Sequence, residues 1–197
     1  MPAPESDDAA EAETLSARIN RAVSAGGEEL ITFLFKSAAP IAAASGRLDV
    51  VSDWLRHVPE QRIAHDPQLL YWKGASIVLE HPSEAYPSLR VAFDMLRDKA
   101  DGHWPLLSWA GLVDSIFLQY RDLRELDPLV EWMTVEREEA VERMPRPLKS
   151  LVVGSAMFAL AFRSPNHPRM SSWRRRAEQL ADLNPTSDLG TRLQVSS

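Results

Sequence analysis

The 197-residue chain has no cysteine. Disulfide frameworks, thiolate metal sites and cysteine nucleophiles are excluded together, and a reducing compartment fits. Long apolar runs are also missing. The longest, from Leu151 to Phe162, is 12 residues, whereas a membrane-spanning helix needs about 20. No basic stretch followed by an apolar one opens the chain, so nothing there reads as a secretory signal. The expectation is a cytoplasmic protein with no membrane partner. Positive charge is scarce: 22 Lys and Arg face 28 Asp and Glu. Five of those acids (Glu5, Asp7, Asp8, Glu11 and Glu13) lie in the first 13 residues, where no Lys or Arg balances them. The rest of the chain is close to neutral. A nucleic-acid binder needs a basic face to displace counterions, so direct nucleic-acid contact is not expected.

Residues 1–13 are acidic and free of apolar periodicity, which predicts a disordered tail. From residue 14 onward the apolar residues recur at helical spacing. No segment alternates with period two over β-branched residues, so no strand is predicted. Leu30, Ile31, Leu34, Phe35, Ala38 and Ile41 form one expected inward stripe, with Pro40 placed to kink or divide that helix. Gly46 stands where a C-cap belongs. Asp66-Pro67 pairs an N-cap with a proline in the first turn. Further helices are predicted at about 66–80, 83–100, 103–119, 123–142, 147–163 and 169–183. Most of the 14 prolines fall between them.

Three glycines occupy matching places in these helices: Gly74 in LLYWKGASIVL, Gly111 in LLSWAGLVDSI and Gly154 in SLVVGSAMFAL. They are 37 and 43 residues apart, and a second amphipathic segment follows each. Two helices per unit at such a period is the mark of a helical repeat array. Small residues allow two helices to cross closely. After Gly74 the tetratricopeptide pattern continues with Ala85, Leu89 and Ala92. The predicted architecture is therefore all-α: a short right-handed α-solenoid forming a single domain over 14–197. Its hairpins lie at about 28–58, 66–100, 103–142 and 147–183.

Residues 45–182 resemble the tetratricopeptide-like helical-repeat arm of MalT-like regulators. These are bacterial signal-transduction proteins of the STAND class, many of which carry a LuxR-type DNA-binding end. The landmarks are Gly46-Arg47, Trp54-Leu55 and Pro59, then the run from Asp66 to Gly74, Trp109-Ala110-Gly111 and the run from Leu126 to Trp132. Phe162 to Pro168 with Trp173 completes them. The resemblance implies a holding or sensing arm. No GxxxxGK[ST] phosphate loop and no basic helix-turn-helix accompanies it, so the NTPase and DNA-binding roles of those regulators are not expected here.

No other constellation promises chemistry. The five histidines show no HExxH spacing, and no GxSxG elbow exists. No cofactor, metal or catalytic residue is predicted, and the chain is not read as an enzyme. Glu131, Glu136, Glu138, Glu139 and Glu142 read as a solvated helix face. Arg174, Arg175 and Arg176 spread around the last helix, with one expected to snorkel. Of six tryptophans, Trp104 is the one expected at the surface. If the first helix of each pair lines a concave face, that face holds Tyr71, Ala75 and Val78, then Ser108, Leu112 and Ser115, then Leu151, Ser155 and Phe158. An apolar, hydroxyl-bearing strip without Lys or Arg favours a protein or peptide partner such as an amphipathic helix. The expected function is a non-catalytic interaction or regulatory scaffold of a signalling or transcription-control system. The alternative is a sensor arm holding a small apolar effector between repeats. A homodimer, or a docking tail built on Leu189, Leu193 and Val195, would cover an otherwise open apolar end.

Overall fold

A computed structural model describes residues 17–19, 21–22, 27–44, 46–99 and 102–181. The acidic tail and the stretch holding Leu189, Leu193 and Val195 lie outside the described residues, which are helical with no strand. The chain divides after Ala92 into two compact units. The expectation was one domain from 14 to 197.

The first unit contains α1 (Glu28–Ala44), α2 (Leu48–Leu55), α3 (Glu60–His65), α4 (Pro67–Ala75) and most of α5 (Pro82–Leu96). In α1 the buried stripe is Ile31, Leu34, Phe35, Ala38, Ala39 and Ala42. Leu30 is half exposed and Ile41 only partly covered, so the stripe sits one position round from the expected one. Pro40 does not divide the helix, which is assigned unbroken across it. One lost backbone hydrogen bond is outweighed by the burial of Ala38, Ala39 and Ala42 on either side. Gly46 closes α1 at φ +72°. There Gly46 N donates to Ala43 O (3.0 Å) and Arg47 N to Ala42 O (2.8 Å), the left-handed cap that its sequence position suggested. α2 already ends at Leu55, and Pro59, expected to stop it, instead precedes α3, a helix the periodicity did not reveal.

Asp66 caps α4. Its Oδ1 accepts from Gln68 N (2.9 Å) and Leu69 N (3.2 Å), and its other oxygen takes the Lys36 ammonium of α1. Lys73 of α4 returns to Glu60 of α3 (2.6 Å). The crossing of α4 and α5 passes over Gly74. A Cβ there would overlap Leu89 Cγ and stand 3.0 Å from the Ala85 carbonyl oxygen. Ala85, Leu89 and Ala92 are fully buried, so α5 meets α4 through the residues the repeat pattern marked.

The second unit contains α6 (Trp104–Leu118), a 3₁₀ turn (Leu123–Leu126), α7 (Asp127–Trp132), a π-turn (Met133–Arg137), α8 (Glu138–Glu142), α9 (Arg146–Arg163) and α10 (Met170–Ala181). Ser155 of α9 bonds Asp114 of α6, and Phe158 meets Phe117. Both pairs are 41 residues apart, so α6 and α9 run parallel. Glu138 meets Ser172 and Arg176, and Glu142 meets Arg176, so α8 and α10 also run in the same direction. Trp109 is fully buried, and its indole N–H donates to Leu129 O (2.9 Å), joining α6 to α7. Arg163 holds Asp127 with two hydrogen bonds (2.6 and 2.8 Å), joining the end of α9 to the start of α7.

The π-turn has a cause in the sequence. Leu126, Val130 and Met133 are buried, as are Val141 and Met144. Eight residues separate Met133 from Val141. In an unbroken helix at about 100° per residue, that spacing turns Val141 about 80° away from Met133. A π-turn absorbs one residue and brings the two within about 20°. Both halves then face the same core.

Two outcomes follow from this packing. Gly74→Ala is expected to cost about 1–3 kcal/mol, because a backbone oxygen closes the space; thermal unfolding measures it, and an unchanged melting temperature would refute the close crossing. Deleting Glu136 should regularise the helix and shift the melting temperature by only a few degrees, whereas deleting Val113 in α6 should unfold the unit, since about 100° of misrotation is propagated. Equal damage from the two deletions would reject the phase argument.

Candidate interaction surface

One side of the parallel pair α6 and α9 carries the largest group of partly exposed aromatic rings in the second unit. On α9, residues 151, 155, 158 and 162 recur at steps of four, three and four, which keeps them on one face. Leu151 is 46% and Phe162 51% exposed; Phe158 is half buried. Phe117 of α6 joins them. Its ring centroid is 5.3 Å from Phe158 and 5.0 Å from Phe162, and the Phe158 and Phe162 rings lie nearly parallel 6.5 Å apart. Such offset contacts add to burial in fixing ring positions. In mid-strip, Ser155 Oγ donates to Asp114 Oδ1 at 2.8 Å. The result is a face of about three helical turns with the rings of Phe117, Phe158 and Phe162 at one end and Leu151 at the other, divided by the polar Ser155–Asp114 pair.

Tyr120 stands just beyond that end. It is 93% exposed and has φ +52°. Tyr120 N donates to Phe117 O (3.0 Å) and Arg121 N to Ile116 O (3.4 Å), so Tyr120 fills the left-handed cap position of α6, which glycine usually takes. A side chain there costs about 1–2 kcal/mol.

The expected concave residues divide by burial. Tyr71 and Val78 of the first unit are 5% and 7% exposed. Ser108, Leu112, Ser115 and Ser155 of the second unit are buried. The α6 hydroxyls bond their own helix, Ser108 Oγ to Pro105 O (3.0 Å) and Ser115 Oγ to Leu112 O (2.8 Å). These six side chains pack within the chain, while Leu151, Phe158 and, in the first unit, the partly exposed Ala75 present surface. The reason is that α6 is covered almost all round. Sequence spacing identifies a helix face but cannot tell a solvent-facing side from one a neighbour covers. Phe117, Tyr120 and Phe162 were missed. Phe162 continues the 151, 155, 158 series and was legible; the αL placement of Tyr120 was not.

Beneath the strip, Trp109, Val130, Met133, Thr134, Ala156, Ala159 and Leu160 enclose a hollow with no room for a water molecule. Thr134 Oγ1 is turned onto Val130 O (2.8 Å). An apolar effector would have to displace side chains there.

On the far side of the unit, charge joins α8 to α10. Glu138 was expected on a solvated face, yet its side chain is only 11% exposed. It accepts from Arg176 Nη1 (2.5 Å) and also contacts Arg169. The π-turn rotates it toward α10. Glu142 takes Arg176 Nε (2.6 Å) and Lys149 Nζ (3.2 Å). The Arg176 guanidinium lies over the buried Trp173 ring at 4.9 Å, while Arg174 and Arg175 stay exposed. The hydrogen bond from Arg176 holds the Glu142 carboxyl below its ordinary 4.5, and that from Arg163 holds Asp127 below 3.8. Partial burial lowers the pKa of His103. Trp104, expected at the surface, is half buried beside it, with ring centroids 5.3 Å apart.

Among the described residues no group of three or more acidic or histidine side chains could hold a metal ion, and no helix is long and apolar enough to cross a membrane. Protein-family models, curated proteins and solved structures give no match to this chain.

The two depressed carboxylates set an acid response. Their pairing stabilises the fold above the ordinary carboxylate range and is lost as pH falls through that range toward their lowered values. Urea unfolding should therefore show stability declining below about pH 4.5, with a smaller decline in Glu142→Gln. An identical acid profile for wild type and variant would deny Glu142 this role.

Proposed function

We propose that the chain is a non-catalytic interaction scaffold whose α6–α9 strip receives an amphipathic helix of a protein partner. The observation that carries this reading is the strip itself. Leu151, Phe158, Phe162 and Phe117 lie along two parallel helices with substantial apolar surface left in water. Contiguous exposed apolar surface rimmed by polar groups is how a helix-binding site is built. The residues beneath it are packed, so the strip is a firm platform and not a collapsing cleft.

The parallel course of α6 with α9, and of α8 with α10, supports a solenoid reading, in which successive hairpins cover each other's apolar sides. The Gly74 crossing supports the same reading in the other unit. An arm similar to that of MalT-like regulators, working in the cytoplasm within a signalling or transcription-control system, is the role this architecture fits best.

Phe158→Glu places a charge among the rings of Phe117 and Phe162 without touching the packed layer under Trp109. Affinity purification should recover a partner with the wild-type chain and lose it with Phe158→Glu, both proteins melting within a few degrees of each other. A partner retained undiminished by Phe158→Glu would exclude the strip.

A further inference from the structure

We infer that α10 is a detachable helix, latched to the second unit by the Glu138 carboxylate, and that it undocks as a whole while α6 stays folded. The inference concerns the far side of the unit and does not depend on the helix-binding reading of the strip.

The first argument is how little apolar surface holds α10. From Met170 to Leu180 only Trp173 and Ala177 are buried, whereas eleven of the fifteen residues of α6 are. The hydrophobic hold on α10 is therefore mainly one indole ring. That ring is a compromised anchor. Its N–H is buried and meets no acceptor among the described residues, while the N–H of Trp109 is bonded to Leu129 O. A buried donor without a partner carries a desolvation penalty, which water removes once the helix lifts away.

The second argument is that the polar hold converges on one side chain. Glu138 accepts from Arg176 Nη1 (2.5 Å) and Ser172 Oγ (3.4 Å), and it pairs with Arg169. Glu142 adds a single residue to this set, again Arg176 (2.6 Å), and divides its charge with Lys149 of α9 (3.2 Å). Charge balance sharpens the dependence. Arg169 and α10 together carry four arginines and one glutamate, while α8 carries Glu138, Glu139 and Glu142 with no Lys or Arg. Neutralising Glu138 leaves Arg169 without that counter-ion and Arg176 with only Glu142.

Arg176 and Lys149 meet on the same carboxylate, so α10 runs back along α9 toward its start. Release of α10 bares the side of α9 on which it packs. Segments with few buried apolar contacts are the ones that open below the global unfolding free energy. Anything that neutralises Glu138, or competes for its arginines, shifts α10 toward the released state.

The test is amide hydrogen exchange on the intact chain, read by mass spectrometry in peptides from α10 and from α6. Glu138→Gln keeps the shape of the side chain and removes its charge. It should speed exchange across α10 by about tenfold or more, with α6 unchanged. Arg169→Gln, at a half-exposed side chain where folding is not at risk, should speed α10 alone by about two- to fivefold. Glu139→Gln removes the same charge from the exposed side of α8 and should change little. Wild-type exchange rates for α10 in Glu138→Gln overturn the inference. So does equal acceleration of α6 and α10 in either of the first two variants, which would make α10 part of the cooperative core. Equal effects of Glu139→Gln and Glu138→Gln would replace the latch with a simple dependence on net charge, and overturn it too.

Discussion

Trp109 is the contact on which the second unit turns. It is fully buried at the middle of α6, its indole N–H reaches Leu129 O of α7, and it lines one small hollow with Ala156, Ala159 and Leu160 of α9. One side chain of α6 therefore bonds α7 and faces, across a small hollow, the residues of α9. The small residues of α9 let that helix come close. With α6 fixed between α7 and α9, the outward side of the α6–α9 pair is determined, and Phe117, Phe158 and Phe162 are left at the surface.

The far side of the unit is held differently. The side-chain bonds between α8 and α10 are ionic and polar, while the buried Trp173 and Ala177 lie on α10, which packs on α9. Exposed ion pairs contribute little singly, but Glu138 is mostly shielded and shared between two arginines. It reaches them because the π-turn rephases the helix. A single surplus residue between Met133 and Val141 thus aligns two apolar faces and also aims a carboxylate at α10. Loss of that alignment would cost buried surface and leave charge unpaired.

The functional reading follows from what this packing covers and what it leaves open. Eleven of the fifteen residues of α6 are buried, so α6 supplies structure, and its serine hydroxyls are used up within the helix. α9 is amphipathic, with Val152, Val153, Ala156, Ala159 and Leu160 inward and Leu151, Phe158 and Phe162 outward. Exposed aromatic surface on a rigid pair of helices is suited to recognition. Tyr120, exposed and held in a conformation that favours glycine, closes α6 at this end.

The amino-acid sequence by itself determined the helical class, the caps at Gly46 and Asp66, the close crossing at Gly74 and the apolar faces of α6 and α9. Each depends on residues a few positions apart, or on a steric requirement one residue type meets. The tertiary structure alone decided which apolar face stays wet, since that depends on the neighbour laid across it. It also decided that α1 is not divided at Pro40, because burial on both sides outweighs one missing hydrogen bond. The direction of Glu138 belongs there too: the pattern gives a charge its place on a helix, but the π-turn sets the angle at which that helix presents it.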